Sequence, residues 1–211
     1  MYKNILLVEG PNDASVITGV LQKHSVFIPD LKIIPCVGTG NLLNQLDLYL
    51  KNSSAYDVIG VVVDADENVE ARWQQLRDRF LKTGKYSCKK TPLEEEGIII
   101  EPIEPEDAKV GTWIMPNNKY QGTLENFLLD MVPKNDVLLE EVERELVYLE
   151  NENLNRYKEK FRNKAKVHTY LSWEENPGCS LNTAIVSRIL DSNTELANVF
   201  VAWIKTLFIK Q

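Results

Sequence analysis

Two hydrophobic periods alternate along the first half of this chain. Residues 3–8 (KNILLV) form a short apolar run, and residues 12–23 place Ala14, Val16, Ile17, Val20 and Leu21 at helical spacing. A second strand is predicted over 32–37 (KIIPCV), where Pro35 marks an edge or an irregular end because it cannot donate to a ladder. The turn GTGN then opens a leucine-spaced helix over 42–50. Residues 57–63 (DVIGVVV) are β-branched without polar alternation, as expected of a strand buried on both faces. A charged amphipathic helix over 67–81 follows, then strands over 97–103 (GIIIEPI) and 110–115 (VGTWIM). This order predicts an α/β fold, a mostly parallel sheet of four to five strands flanked by helices and joined by right-handed crossovers.

The second half loses the strand signal. Thr123 reads as the N-cap of a helix beginning LENFLL. Helices are predicted over 136–150 and 153–171, and two more through 181–209 after the break NPGCS. The expected organisation is an α/β domain over 1–120 with a helical C-terminal cap over 121–211 packed on it.

Composition removes several function classes. No apolar run approaches the roughly 20 residues of a membrane span, and residues 1–8 are too short and wrongly flanked for a signal peptide, so a cytoplasmic setting is expected. Cys36, Cys88 and Cys179 lie far apart, which argues for reduced thiols and against a zinc site. With His24 and His168 as the only histidines, metal chemistry here has to use carboxylates. The net charge of −7 opposes long-range attraction to nucleic acid, so any polyanion site must be local.

In open parallel sheets, ligands bind beyond the carboxyl ends of the strands. The first strand delivers Glu9, with Gly10 at the turn and Asp13 one helical turn on. The second delivers VGTGN. The third delivers DADEN, whose Asp64 and Asp66, two apart in extended chain, are expected to point to one side. Acids gathered at one rim push one another toward protonation unless a cation sits among them. Mg²⁺, or Mn²⁺ in its place, held by carboxylates and substrate phosphate oxygens, would resolve the conflict. Taken alone, D-x-D is weak, since Asp66 could simply cap the next helix.

ILLVEGPNDASVI followed by VIGVVVDADEN resembles the Toprim fold, the catalytic domain shared by topoisomerases, primases, small RNA-maturation nucleases and overcoming-lysogenisation-defect-type nucleases. The resemblance covers roughly residues 3–115. It implies that Glu9 acts as general acid or base and as a possible metal ligand, that Asp64 and Asp66 bind Mg²⁺, and that Asp13 supports them. Asn68 stands where many Toprim sites carry a third acid, although nuclease-type members often lack it as well. The segments KVGTWIMPNNKYQGTLENFLL and KAKVHTYLSWEENPG are similar to an uncharacterised family of small stand-alone Toprim-related proteins. Nothing resembles the gate and tyrosine domains of a topoisomerase or the zinc and polymerase modules of a primase. The implied activity is Mg²⁺-dependent phosphodiester chemistry on DNA or RNA, most simply nucleolytic. The rival is a catalytically weak module acting as a binding or regulatory subunit, beside an ATPase as similar domains do, with self-association open. A small-molecule phosphotransferase is disfavoured because VGTGN lacks the lysine and spacing of a P-loop.

Three further features carry two readings each. Glu125 is either a first-turn acid at a helix dipole or a further carboxylate for the site. The run RYKEKFRNKAK (156–166) holds six basic residues and one acid. On one helix it would form two ridges, Arg156–Lys160–Lys164 and Lys158–Arg162–Lys166. Those ridges either pair with the acidic helix before them (Glu140, Glu141, Glu143, Glu145, Glu150, Glu152) or, through Arg162, Lys164 and Lys166, contact phosphates. Trp173 and Trp203 are expected in the core, leaving Trp73 or Trp113 for any base stacking.

Overall fold

A computed structural model describes residues 2–88 and 94–209. Its sheet has five strands, β1 (Asn4–Val8), β2 (Leu31–Pro35), β3 (Val58–Asp64), β4 (Ile98–Ile100) and β5 (Lys109–Met115), in the spatial order β2-β1-β3-β5-β4. All neighbours pair in parallel except β4, which runs antiparallel to β5. Pro35 ends β2, an edge strand, where its missing N–H costs no ladder bond. The fourth strand is shorter than its apolar run suggested, because Gly97 has a left-handed φ of 80° and the pairing stops at Ile100.

The crossovers place the helices. From β1 the chain moves outward to β2 through α1 (Pro11–Lys23) on one face. It then returns across β1 to β3 through α2 (Thr39–Lys51), and onward through α3 (Val69–Lys82), both on the other face. Right-handed connections demand this change of face when the direction of travel reverses. The reversal makes the carboxyl ends of β1 and β3 a topological switch point, where such sheets open a crevice.

The second half fills the α1 side of the sheet. It contains α4 (Leu124–Asp130), α5 (Val137–Asn151), α6 (Arg162–Ser172), α7 (Leu181–Val186) and α8 (Glu195–Phe208). Phe127 of α4 and Phe200 and Trp203 of α8 pack with Trp113 of β5 as an aromatic cluster. Helix α8 lies close on the sheet because Gly60 and Gly111 are paired across β3 and β5. A Cβ on Gly111 would come 2.5 Å from Leu207, and one on Gly60 would come 2.9 Å from Phe208. The C-terminal helices therefore form a structural layer of the sandwich, burying one face of the sheet together with α1.

Two expectations need correction. The helix anticipated over 153–171 begins only at Arg162. Asn153 turns left-handed (φ 54°) after α5, Leu154 and Asn155 donate back to the Leu149 carbonyl, and a single 3₁₀ turn covers Glu159–Phe161. Arg156, Lys158 and Lys160 thus stand off the helix, and the two basic ridges do not form. The tryptophans are also partly exchanged. Trp73 and Trp113 are buried together with Trp203, whereas Trp173 is 45% exposed at the C-cap of α6, where the chain leaves the core. Among the described residues no helix is long and apolar enough to cross a membrane.

Candidate functional site

Glu9 leaves β1 at the switch point and is fixed from two sides. Its Oε1 accepts the backbone N–H of Asp64 at 3.0 Å, and its Oε2 accepts the Thr39 hydroxyl at 2.9 Å. Three elements therefore meet on one carboxylate: the end of β3, the first turn of α2 and the end of β1. Gly10 is the N-cap of α1, where its N–H donates to Asp13 Oδ2 at 3.0 Å. That bond holds the Asp13 carboxyl under the rim while Pro11 starts the helix without a wasted donor.

Asp64 ends β3, and its Oδ1 accepts the N–H of Leu124, the first residue of α4, at 2.8 Å. Helix α4 is brought there by a paired bridge. Asp66 and Gly122 exchange both backbone hydrogen bonds at 2.9 Å, and Ala65 donates to the Met115 carbonyl. Gly122 suits this position because a Cβ would meet Asn126 Oδ1 at 2.8 Å. Thr123 caps α4 in a capping box with Asn126, and its hydroxyl donates to Glu125 Oε2 at 2.8 Å. Glu125 thereby lies in the first turn of α4, and its charge also acts on Asp13 and Asp64, so both readings of it stand.

The electrostatics carry the cost of this arrangement. Burial raises the Asp64 carboxyl from 3.8 to about 8, with Glu9, Asp13 and Glu125 adding negative charge and the Leu124 N–H acting against them. Burial likewise lifts Asp13 from 3.8 to about 6, opposed by its backbone hydrogen bonds and reinforced by Glu9 and Glu125. Asp13 is only 6% exposed, and its Oδ1 has no hydrogen-bond partner among the described residues. A buried acceptor left unpaired costs about 1–3 kcal/mol in an ordinary core.

Asp66 behaves differently. Its backbone turns left-handed (φ 54°), its side chain is 56% exposed, and Oδ2 pairs with Arg72 at 2.6 Å. The two D-x-D aspartates therefore do not share a side, because the extended geometry ends at Asp64. Nor does Asp66 cap α3. That is done by Asn68, whose Oδ1 accepts the Ala71 N–H at 2.8 Å. The same Arg72 donates to the Asp64 carbonyl at 2.9 Å, pinning the strand exit.

The basic residues divide between the two readings given for them. Arg162 bonds Glu143 and Glu150 of α5, and Lys166 lies 2.8 Å from Glu143, so this pair ties α6 to α5. Those partners pull Glu143 from 4.5 down to about 2. Lys164 instead reaches toward the rim, 3.8 Å from Glu125 Oε1. Next to the rim, a cleft of about 910 Å³ has Asp66, Glu67 and Glu159 as well as Lys160 and Arg162 in its lining.

A family model covering residues 3–209 matches this sequence. The chain belongs to DUF3226, described as a protein of unknown function. Curated proteins and solved structures supply no match. The rim of this DUF3226 member brings together carboxylates, two hydroxyls and backbone N–H donors. The side-chain atoms it offers are oxygens, the set a hard divalent cation takes, and the unpartnered Asp13 Oδ1 among raised carboxyls fits such an ion. Among the described residues no three His, Cys, Asp or Glu side chains are already closed around one point. Thr39, Leu124 and Arg72 were not anticipated as site residues. Thr39 lies in the VGTGN turn that the second strand delivers to the rim, and Arg72 is a cation in the first turn of a helix, where the dipole favours an acid; Leu124 left no trace.

Proposed function

We propose that this chain carries out Mg²⁺- or Mn²⁺-dependent phosphodiester chemistry on nucleic acid, as the Toprim proteins its two motifs resemble do, with nucleolytic cleavage its simplest form. The observation that carries the reading is the meeting of Glu9, Asp13, Asp64 and Glu125 at the carboxyl ends of β1 and β3. Four acids near the crevice of a parallel sheet, two of them held well above ordinary carboxyl values, repel one another in a way that a divalent cation would relieve. A bound divalent ion supplies charge neutralisation and Lewis acidity toward a phosphoryl oxygen.

The chain's own groups divide the remaining work. Asp13, Asp64 and Glu125 have carboxylate oxygens to offer an ion. Glu9, oriented by the Asp64 N–H and the Thr39 hydroxyl, is positioned to accept or return a proton at an attacking or leaving oxygen. Lys164 beside Glu125 supplies positive charge for a phosphate backbone in an otherwise acidic protein. A cytoplasmic setting belongs to this reading. The test is cleavage of single- and double-stranded DNA and RNA with Mg²⁺ or Mn²⁺, comparing wild type with Glu9→Gln. Cleavage lost in the variant supports it, and metal-independent or unchanged cleavage sinks it.

One observation favours a second reading. Asp66 is spent on Arg72, and among the described residues the other carboxyls do not converge on one point. That suits a module whose site closes only in an assembly, as a binding or regulatory subunit beside an ATPase. Nucleic-acid binding without cleavage by the isolated chain, and cleavage once the partner is added, would decide for it.

A further inference from the structure

A chain of net charge −7 needs a local gathering of cations before it can hold a polyanion. One such gathering lies away from the rim. Helix α2 starts at Thr39, beside Glu9, and carries the chain about 18 Å along its axis to Lys51 at the other end of the sheet. There, against the last turn of α3, a pocket of about 370 Å³ is lined by Lys51, Arg79, Lys82 and Lys85, with Asp47 as its single acid. Asp47 Oδ1 lies 3.4 Å from Arg79 Nε, which is buried and makes no hydrogen bond among the described residues. Lys85 is fixed from behind, its Nζ donating to the Ser53 hydroxyl at 2.7 Å and to Asp107 at 2.9 Å. Lys51 and Lys82 are exposed, and neither has an ion pair among the described residues. Helix ends account for part of this, since Lys51, Arg79 and Lys82 lie in last turns, where the dipole favours a cation. They do not account for Lys85, which belongs to neither helix, or for four like charges meeting on one concavity.

We propose that this pocket binds phosphate groups, carried either by a small molecule such as pyrophosphate or a nucleoside triphosphate, or by a nucleic-acid backbone. Phosphate oxygens match what the walls offer: lysines as point charges with several donors each, and an arginine fork. The volume stands at the small end of the range for ligand pockets, about 300–1,000 Å³, which suits a compact anion. More than one negative charge is required of the ligand, because Asp47 and the carbonyl ends of two helices oppose it. The inference is independent of the rim. It needs no metal, and none of its four cations takes part in the chemistry proposed there.

The experiment is isothermal titration calorimetry in chelator, with pyrophosphate, ATP and a short single-stranded oligonucleotide as probes. Wild type is compared with Lys51→Gln, Lys82→Gln, Asp47→Asn and Lys205→Gln, the last an exposed lysine on α8 that controls for overall charge. Saturable binding should weaken about tenfold in each of Lys51→Gln and Lys82→Gln, the worth of one hydrogen bond to a charged group. Asp47→Asn frees Arg79 and should tighten binding about two- to fivefold, the worth of one exposed ion pair. Lys205→Gln should leave it unchanged. This pattern with pyrophosphate or ATP identifies a small-molecule ligand. The same pattern with the oligonucleotide alone, its affinity falling steeply with salt, identifies a nucleic-acid backbone. No saturable binding of any probe would overturn the proposal, as would binding that the two pocket lysines leave unchanged or that Lys205→Gln weakens equally. Thermal unfolding of each ligand-free variant, matched to wild type, separates ligand loss from misfolding. Lys85 is left intact because its bonds to Ser53 and Asp107 would make its loss a structural one.

Discussion

Replacing Asp64 by Asn should make the metal-free protein more stable, by an amount that grows with pH. The Asp64 carboxyl is raised from 3.8 to about 8. Between those values the folded chain holds a proton that the unfolded chain releases, so stability falls as pH rises. The favourable contribution is complete below about pH 4 and is lost by about pH 8. Asparagine has no such titration, and its Oδ1 can keep the hydrogen bond from Leu124. At roughly 1.4 kcal/mol per pH unit, the cost removed is about 2 kcal/mol at pH 5 and about 4 kcal/mol at pH 7. The difference between these two conditions, about 2–3 kcal/mol, depends only on Asp64 remaining protonated to pH 7. Asp13, lifted to about 6, adds its own slope to both proteins and largely cancels in the comparison.

For a chain of 211 residues, 1 kcal/mol corresponds to about 2–4 °C in Tm. The advantage of Asp64→Asn over wild type should therefore widen by roughly 4–12 °C from pH 5 to pH 7, measured by differential scanning calorimetry in chelator. Saturating Mg²⁺ should close the gap from the wild-type side, because ion binding favours the ionised carboxylate and releases its proton. A gap of equal size at both pH values, or a variant less stable than wild type at pH 7, would refute the argument. It would mean that Asp64 ionises at the rim without penalty and that the acids there exert no strain.

Gly111→Ala should cost about 1–3 kcal/mol in denaturant unfolding, since its Cβ would stand 2.5 Å from Leu207 and force α8 off the sheet. Asn68→Ala should lose about 1 kcal/mol of helix capping at α3, and Asn68→Asp should keep it, both read from urea midpoints. Glu143 is lowered from 4.5 to about 2 by Arg162 and Lys166, so its contribution is present above pH 4.5 and lost as pH falls toward 2. Glu143→Gln should accordingly flatten the acid limb of the stability profile between pH 5 and 2, and an unchanged limb would exclude the pairing as a stabiliser.

Strand and helix periods revealed the α/β architecture because each apolar run has only one length and one set of breakers that fit it. The same reasoning placed Glu9, Asp13 and Asp64 at one rim, since strand ends in parallel sheets converge. What it could not reach was set by single backbone dihedrals and by partners distant in sequence. Asp66 was expected beside Asp64, yet one left-handed residue ended the strand geometry, and Arg72, one turn into α3, took the side chain. The helix starting at 153 failed for a similar reason. Its composition is helical, but Asn153 turns left-handed and the chain folds back on Leu149. Glu125 stayed ambiguous because its place depends on the Asp66–Gly122 bridge, a contact 56 residues apart that no local pattern announces.

The rim also shows how the fold bears its acidic group. Helices α1, α2 and α4 all begin there, and their N-terminal N–H groups present partial positive charge to the carboxylates. Gly10, Asp64 and Leu124 contribute backbone donors directly, and Thr39 and Thr123 contribute hydroxyls. These bonds orient the acids without neutralising them. Asp13 and Asp64 remain raised in spite of the donors, so hydrogen bonding offsets only part of the burial cost. A structural role would be served equally well by asparagine or glutamine at these positions, with the same acceptors and none of the charge. Donors alone therefore leave four acids unexplained, and under the proposed metal-dependent reading the stability that the acids cost the metal-free protein should reappear as affinity for the ion.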